Sequence, residues 1–234
     1  MRRPSAAILA FAAVALGAPA VAHHGKDFLL LSTDDMPLPG HAYALVSSDT
    51  IIDKDGARST EITPSLLFAA GRNLAVEPHF HVAKSSEQSW RYDATALGLR
   101  YATGFLPGTE WRTAVSLEAE KPKDSEENSS GELRLIGART YPAALVAVNL
   151  IAGKEFAPHT DRSYGIGVGA LTPLKNGDRA GLEVVASLPF ADGVEILPGY
   201  YLSRGPYSAK LGIGLFTNRN VTTSTLHASV IARF

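Results

Sequence analysis

The sequence predicts an all-β protein, a transmembrane up-and-down antiparallel β-barrel of about twelve strands, with ten to fourteen compatible with the pattern. Three observations predict it. First, the chain stops on an aromatic at the end of a strand: Leu226, Ala228, Val230, Ala232 and Phe234 share one face, while Thr225, His227, Ser229 and Arg233 lie mostly on the other. A period of two over a whole segment is a strand with one apolar side. Second, several further segments of about ten residues repeat that alternation, a length that crosses a bilayer when tilted. Third, the amino terminus reads as an export signal.

That signal consists of Arg2-Arg3, an apolar run from Ile8 to Leu16, and Ala20-Val21-Ala22 as a small-x-small cleavage site. Residues 1–22 are therefore expected to be a signal peptide, too short to span a membrane as a helix. Residues 23–38 form an expected periplasmic segment that acts as a tail, a lid or a plug, and Phe28 to Leu31 within it is an apolar run. Residues 39–234 are expected to form the barrel. The chain has no cysteine and a net charge of −1. The first excludes a disulfide scaffold and thiolate chemistry; the second gives no reason to expect a nucleic-acid partner. A mean hydropathy of +0.03 is too polar for helical spans but suits strands that alternate between lipid and lumen.

The expected strands are 40–48, 60–70, 74–83, 90–102, 110–120, 132–141, 144–153, 162–171, 179–189, 194–203, 208–217 and 222–234. Alternation is clear where Leu74, Val76, Pro78, Phe80 and Val82 oppose Glu77, His79 and His81, and where Ala209, Leu211, Ile213 and Leu215 oppose Lys210, Gly212 and Gly214. It is blurred in 40–48 and 144–153, where Ala and Val fall on both faces. Lys121–Gly131 is long and charged, so it reads as a solvated loop on the side away from the termini. Gly71-Arg72-Asn73, Tyr141-Pro142-Ala143 and Arg204-Gly205-Pro206 read as tight turns on the terminal side. Trp90, Tyr92, Trp111, Tyr141, Tyr164, Tyr200, Tyr207 and Phe234 fall near strand ends, as interfacial aromatics do.

A carboxyl terminus directly after an amphipathic strand ending in Phe234 resembles small bacterial outer-membrane barrels of Gram-negative cells. Asp27-Phe28, followed by Pro37-Leu38-Pro39-Gly40 and then a strand, is similar to transporters of the MetA phenol-degradation type. The resemblance implies an outer-membrane localisation with both termini periplasmic. It implies contact with outer-membrane lipid and lipopolysaccharide, and handling by the barrel-assembly machinery through the strand ending in Phe234. It also implies porin-like passage or binding of a small solute, hydrophobic or aromatic in type. No cofactor is expected.

On this reading Glu77, His79, His81, Arg91, Asp93, Arg112, Glu118, Glu120, Arg134, His227 and Arg233 line the lumen, together with Glu132, Glu183, Glu195 and Lys210. Their signs are mixed, so the simplest expectation is mutual pairing in a narrow interior rather than a selective ion pore. His79 and His81, at i and i+2 on one strand, offer two imidazoles that suit either a metal ion or a pH-responsive ladder. His23-His24, exposed by cleavage after Ala22, offer a second metal candidate. No Gly-x-Ser-x-Gly occurs, and Ser229–His227 and Ser163–His159 lack a recognisable partner. No catalytic residues are therefore assigned. A lipid-active enzyme and a structural or surface-interaction barrel are the alternatives to a channel.

Overall fold

The computed structural model describes residues 27–158, 160, 162–189, 193–218 and 221–234. The expected signal peptide and His23-His24 lie outside these residues. The described chain is a closed twelve-stranded barrel. In order the strands are β1 (Ala42–Ile52), β2 (Arg58–Ala69), β3 (Leu74–Ser85), β4 (Gln88–Phe105), β5 (Arg112–Pro122), β6 (Ser130–Thr140), β7 (Leu145–Glu155), β8 (Arg162–Pro173), β9 (Arg179–Leu188), β10 (Val194–Arg204), β11 (Tyr207–Thr217) and β12 (Thr222–Arg233). Each strand pairs antiparallel with its sequence neighbours. β1 closes the ring on β12, from Tyr43 opposite Arg233 to Ile52 opposite Ser224. Closure leaves no strand edge with unpaired amides, which is what a lipid environment demands of a sheet.

All twelve strands fall where the alternation places them, with ends that move by a few residues. β1 continues to Ile52 and so absorbs part of the first expected loop. β4 is the longest, at 18 residues. The long strands make the loops shorter than the sequence suggests, so the difference between the two ends is mild. We call the end carrying Ala42 and Phe234 the terminal rim, and the other the loop rim.

Outward positions are the apolar ones. Phe80, Leu97, Leu117, Leu150, Leu182, Leu211, Ile213 and Val230 are all exposed on the outer wall. Aromatics collect near the ends of that wall: Trp90, Tyr92 and Tyr164 towards the loop rim, and Tyr141, Tyr200, Tyr207 and Phe234 towards the terminal rim. Tyr201, beside Tyr200, points inward and is buried.

The lumen is not charged throughout. Phe28, Leu29, Leu30 and Leu31 form no strand. They lie buried inside the barrel against Ala147, Ile151, Leu171, Val185, Leu197 and Tyr201. A second apolar cluster joins Tyr43, Leu45, Leu67, Ala75 and Ile231, with Met36 packed on it. This explains the blurred alternation of β1 and β7. Where the inside of the barrel is itself apolar, both faces of a strand must be.

Candidate functional site

The terminal half of the lumen is occupied by a re-entrant loop. Its two ends are tied near the terminal rim, where Thr33 Oγ1 donates to Asp27 Oδ2 at 2.9 Å. Asp27 faces Arg179 at 3.4 Å, and Asp34 faces Arg112 at 3.5 Å. Burial pushes the Asp34 carboxyl up, against the pull of Arg112. Between these ties residues 28–33 reach into the barrel.

A segment without regular structure must place its backbone polar groups on something else. Here the barrel wall receives them. The Glu183 carboxylate on β9 accepts three successive amides, from Leu29 at 2.8 Å, Leu30 at 2.7 Å and Leu31 at 3.0 Å. It also accepts the Tyr201 hydroxyl at 2.5 Å. Asn149 on β7 pairs with both sides of Ser32, its Oδ1 accepting the amide at 2.8 Å and its Nδ2 donating to the carbonyl at 2.9 Å. Lys210 Nζ on β11 donates to the Phe28 carbonyl at 2.6 Å, and Arg134 on β6 donates to the Leu30 carbonyl at 3.3 Å. Buried charges thus end on the loop backbone. That arrangement satisfies amides and carbonyls which would otherwise cost about 1–3 kcal/mol each.

The apolar side chains of the loop fit because the facing wall is made of glycine. A Cβ at Gly167 would overlap Leu31 Cδ2, and one at Gly169 would lie 2.7 Å from Leu31 Cδ1 and 2.8 Å from Phe28 Cε1. At Gly212 a Cβ would meet Leu29 Cδ1 at 2.8 Å. The inward glycines of β8 and β11 therefore form a cradle for Phe28, Leu29 and Leu31. Between the loop and the β2–β6 wall a space of about 10 Å³ remains, lined among others by Ser32, Leu67, Arg100 and Glu118. That is room for a single water.

Beyond the loop the lumen is polar. His227 on β12 is held between Asp49 Oδ1, 2.7 Å from Nδ1, and Glu195 Oε1, 2.9 Å from Nε2. His81 is held in the same way, with Glu61 at 2.6 Å and Glu120 at 3.4 Å. His79 lies 3.8 Å from Glu118, and its ring meets that of His81 edge-on with centroids 5.2 Å apart. Arg100 faces Glu77 at 3.8 Å, and Arg134 grips Glu132 at 2.6 Å. Arg91 and Asp93 pair at 3.4 Å near the loop rim, where both are partly exposed. Arg233 donates to Ser208 Oγ at 3.1 Å and Ser203 Oγ at 3.3 Å near the terminal rim. The expected lumen residues are thus brought into several local pairs rather than one site.

Four members of this lining escape the sequence reading. Asp49 sits in the extension of β1, and Asn149 in a strand with blurred faces. Glu61 stands among Ser and Thr, which give no phase. Arg100 is displaced by a register shift in the β3–β4 pairing near His81/Val82. One extra residue reverses which parity faces inward. Arg91 and Asp93 therefore belong to one phase, and Ala94, Ala96, Gly98 and Arg100 to the other. The available signal is the size pattern, since Leu97, Leu99 and Tyr101 are large and their even neighbours small.

Among the described residues no group of three or more His, Asp or Glu side chains is arranged to hold a metal ion. Ser229 and His227 do not form a nucleophile–base pair, because both ring nitrogens of His227 face carboxylates.

The terminal rim carries its own charge cluster. Asp178, in the turn between β8 and β9, accepts from Arg204, from Tyr200 Oη at 2.6 Å and from Asn176 Nδ2 at 2.7 Å. The Arg204 hydrogen bond, followed by that of Tyr200, holds its carboxyl below the usual range. A carboxylate with a folded pKa below its unfolded value near 3.9 stabilises the fold above that value. The contribution is lost as pH falls through the lower, folded pKa. Thermal stability in detergent should therefore fall on acidification below about pH 4, and Asp178→Asn should flatten that part of the profile. An unchanged profile in the variant would show that other carboxylates set it.

No family model matches the sequence, and no curated protein matches it. The structure is similar to an outer-membrane channel from Pseudomonas putida F1, with a TM-score of 0.64 and 10% identity over 86% of this chain and 97% of that one. It is also similar to the KdgM porin in complex with disordered oligogalacturonate, at a TM-score of 0.58 and 12% identity over 82% of this chain and 99% of the porin. At these identities the likeness is one of fold: a small outer-membrane-type β-barrel.

Proposed function

We propose that this protein is an outer-membrane channel-type barrel that admits a small polar solute from the loop rim and is closed at the terminal rim by residues 27–36. The observation that carries the proposal is the Glu183 carboxylate taking three successive amides of a chain segment inside the barrel. A wall built only for stability would fill its interior with its own side chains. This wall instead keeps glycines and buried charges that serve a separate, non-helical segment.

The orientation follows from the same reading. With residues 1–22 removed on export, both termini face the periplasm, Phe234 ends the strand presented to the assembly machinery, and the loop rim faces outward. The loop-rim half of the lumen presents Asp49, Glu61, Glu120 and Glu195 with their histidines. That lining favours solutes that donate hydrogen bonds or carry positive charge over the apolar or aromatic solutes that the family resemblance implies. The channel folds supporting the reading are those of the P. putida protein and the KdgM porin.

Planar-bilayer recording tests the proposal. The full-length barrel should conduct weakly, and a variant lacking residues 27–36 should conduct well and favour cations. Absence of conductance in both forms would overturn the channel reading.

A further inference from the structure

We infer that the outer wall carries a one-sided phosphate-binding collar at the loop rim, built by β2, β3, β5, β7 and β8, and that its ligand is a phosphorylated glycolipid of the outer leaflet. The inference rests on the proposed orientation of the barrel.

The collar follows from strand parity. Outward positions on β3 run Leu74, Val76, Pro78, Phe80 and Val82, then Lys84; on β5 they run Thr113, Val115, Leu117 and Ala119, then Lys121; on β7 they run Val146, Val148, Leu150 and Ala152, then Lys154. In each strand the cation follows directly on the apolar band, where hydrocarbon gives way to headgroups. Arg58 on β2 and Arg162 on β8 extend the row, and Arg162 is the cross-strand partner of Lys154. Neighbouring strands are about 4.8 Å apart, and the register sets Lys121 level with Phe80, four residues before Lys84, and Lys154 level with Ala119, two residues before Lys121. The lysine backbones therefore stand roughly 12 to 16 Å from one another along the tilted rim, a spacing at which flexible side chains can engage separate phosphates of one headgroup.

Among the described residues these charges are not compensated, and none of the five makes an ion pair. Lys84 instead stands over the Trp90 ring, 5.9 Å from its centroid. The terminal rim is different: Arg139 pairs with Glu110 at 2.7 Å, Arg204 pairs with Asp178, and Arg179 pairs with Asp27. No outward acid stands beside the collar on β2–β8 among the described residues; the acids at this end, such as Asp55, Glu87 and Glu126, sit in the turns beyond it. On the opposite wall the corresponding outward positions are Leu188, Val194, Thr217 and Ile52, all uncharged. Among the described residues this is a cationic arc without an ion pair, at headgroup height and on one side of the barrel, and it is suited to a discrete anionic lipid rather than to a general surface charge.

The test uses the refolded full-length protein with bisphosphorylated lipid A as the probe, read by native mass spectrometry in detergent. Lipid A should bind, its phosphate-free counterpart should bind at least tenfold more weakly, and inorganic phosphate should not displace it at comparable concentration. Replacing Lys84→Gln, Lys121→Gln and Lys154→Gln together should weaken binding by about a hundredfold, since each basic residue near an anionic surface contributes several-fold. Arg139→Gln with Arg204→Gln should leave lipid binding unchanged. Equal binding by the triple variant, or by the phosphate-free lipid, would overturn the inference. Displacement by inorganic phosphate would replace the lipid with a free anion and overturn it as well. Heat-modifiable gel migration separates the two failures. A barrel that migrates normally but ignores lipid A loses the collar alone, whereas loss of the barrel signature removes the membrane reading beneath it.

Discussion

Replacing Glu183 with alanine should release the re-entrant loop and raise single-channel conductance towards that of the barrel lacking residues 27–36. The carboxylate is fully buried and receives the amides of Leu29, Leu30 and Leu31 together with the Tyr201 hydroxyl. Without it, three buried amides lose their acceptor at about 1–3 kcal/mol each, so even the low end shifts the docked-to-released ratio by roughly a hundredfold. Release also frees Lys210 and Arg134, which donate to the Phe28 and Leu30 carbonyls. Glu183→Gln should act in the same direction, because its amide group turns donors towards donors. Hydrogen exchange of the Leu29–Leu31 amides gives a second readout. If those amides stay protected and conductance stays low in Glu183→Ala, the carboxylate does not hold the loop.

Filling the glycine cradle should displace the same loop by a different physical route. In Gly167→Leu with Gly169→Leu, the new side chains occupy the volume of Leu31 and Phe28, whose atoms already lie within 3 Å of the missing Cβ positions. Alanine at one site could be absorbed by rotation of a flexible side chain. Two leucines could not, and overpacking of this kind costs about 1–3 kcal/mol per site. The backbone ladder between β8 and its neighbours is untouched, so the barrel should keep its heat-modifiable migration. The chain contains no cysteine, so a single Ser32→Cys reports directly. Its thiol should be unreactive in the parent and labelled rapidly in the double variant. Slow labelling in both would show that the cradle is not where the loop docks.

The barrel itself is largely legible in the amino-acid sequence. Period-two alternation depends on neighbouring residues of one strand, and every strand shows it to some degree, so the order of the strands and their number to within about two can be read directly. Where the alternation blurs, the cause is physical. Tyr43, Leu45, Ala147 and Ile151 face inward but meet apolar partners, which removes the contrast on which alternation depends. The lumen residues are legible wherever phase is undisturbed, as in Glu77, His79 and His81. Arg100 is hidden because the irregularity between β3 and β4 reverses phase within a single strand, and Asn149 because its neighbours are apolar on both sides. Nor can the sequence say which carboxylate meets which histidine. Asp49 and His227 are 178 residues apart, and their meeting depends on ring closure between β1 and β12.

By itself the sequence determined a barrel of about twelve strands, the antiparallel order and the division between an apolar outer wall and a mostly polar interior, because each is written in local periodicity; ring closure fixed the count at twelve. It also carried Phe28 to Leu31 as an apolar run, but a run of four has no period to place it. Only the tertiary structure decided that these residues lie inside the barrel. Their amides find Glu183 more than 150 residues away, and their side chains find glycines on strands that become neighbours of the loop only when the sheet closes. A contact between a segment without regular structure and the inside of a ring has no signature along the chain. Closure of the barrel creates it.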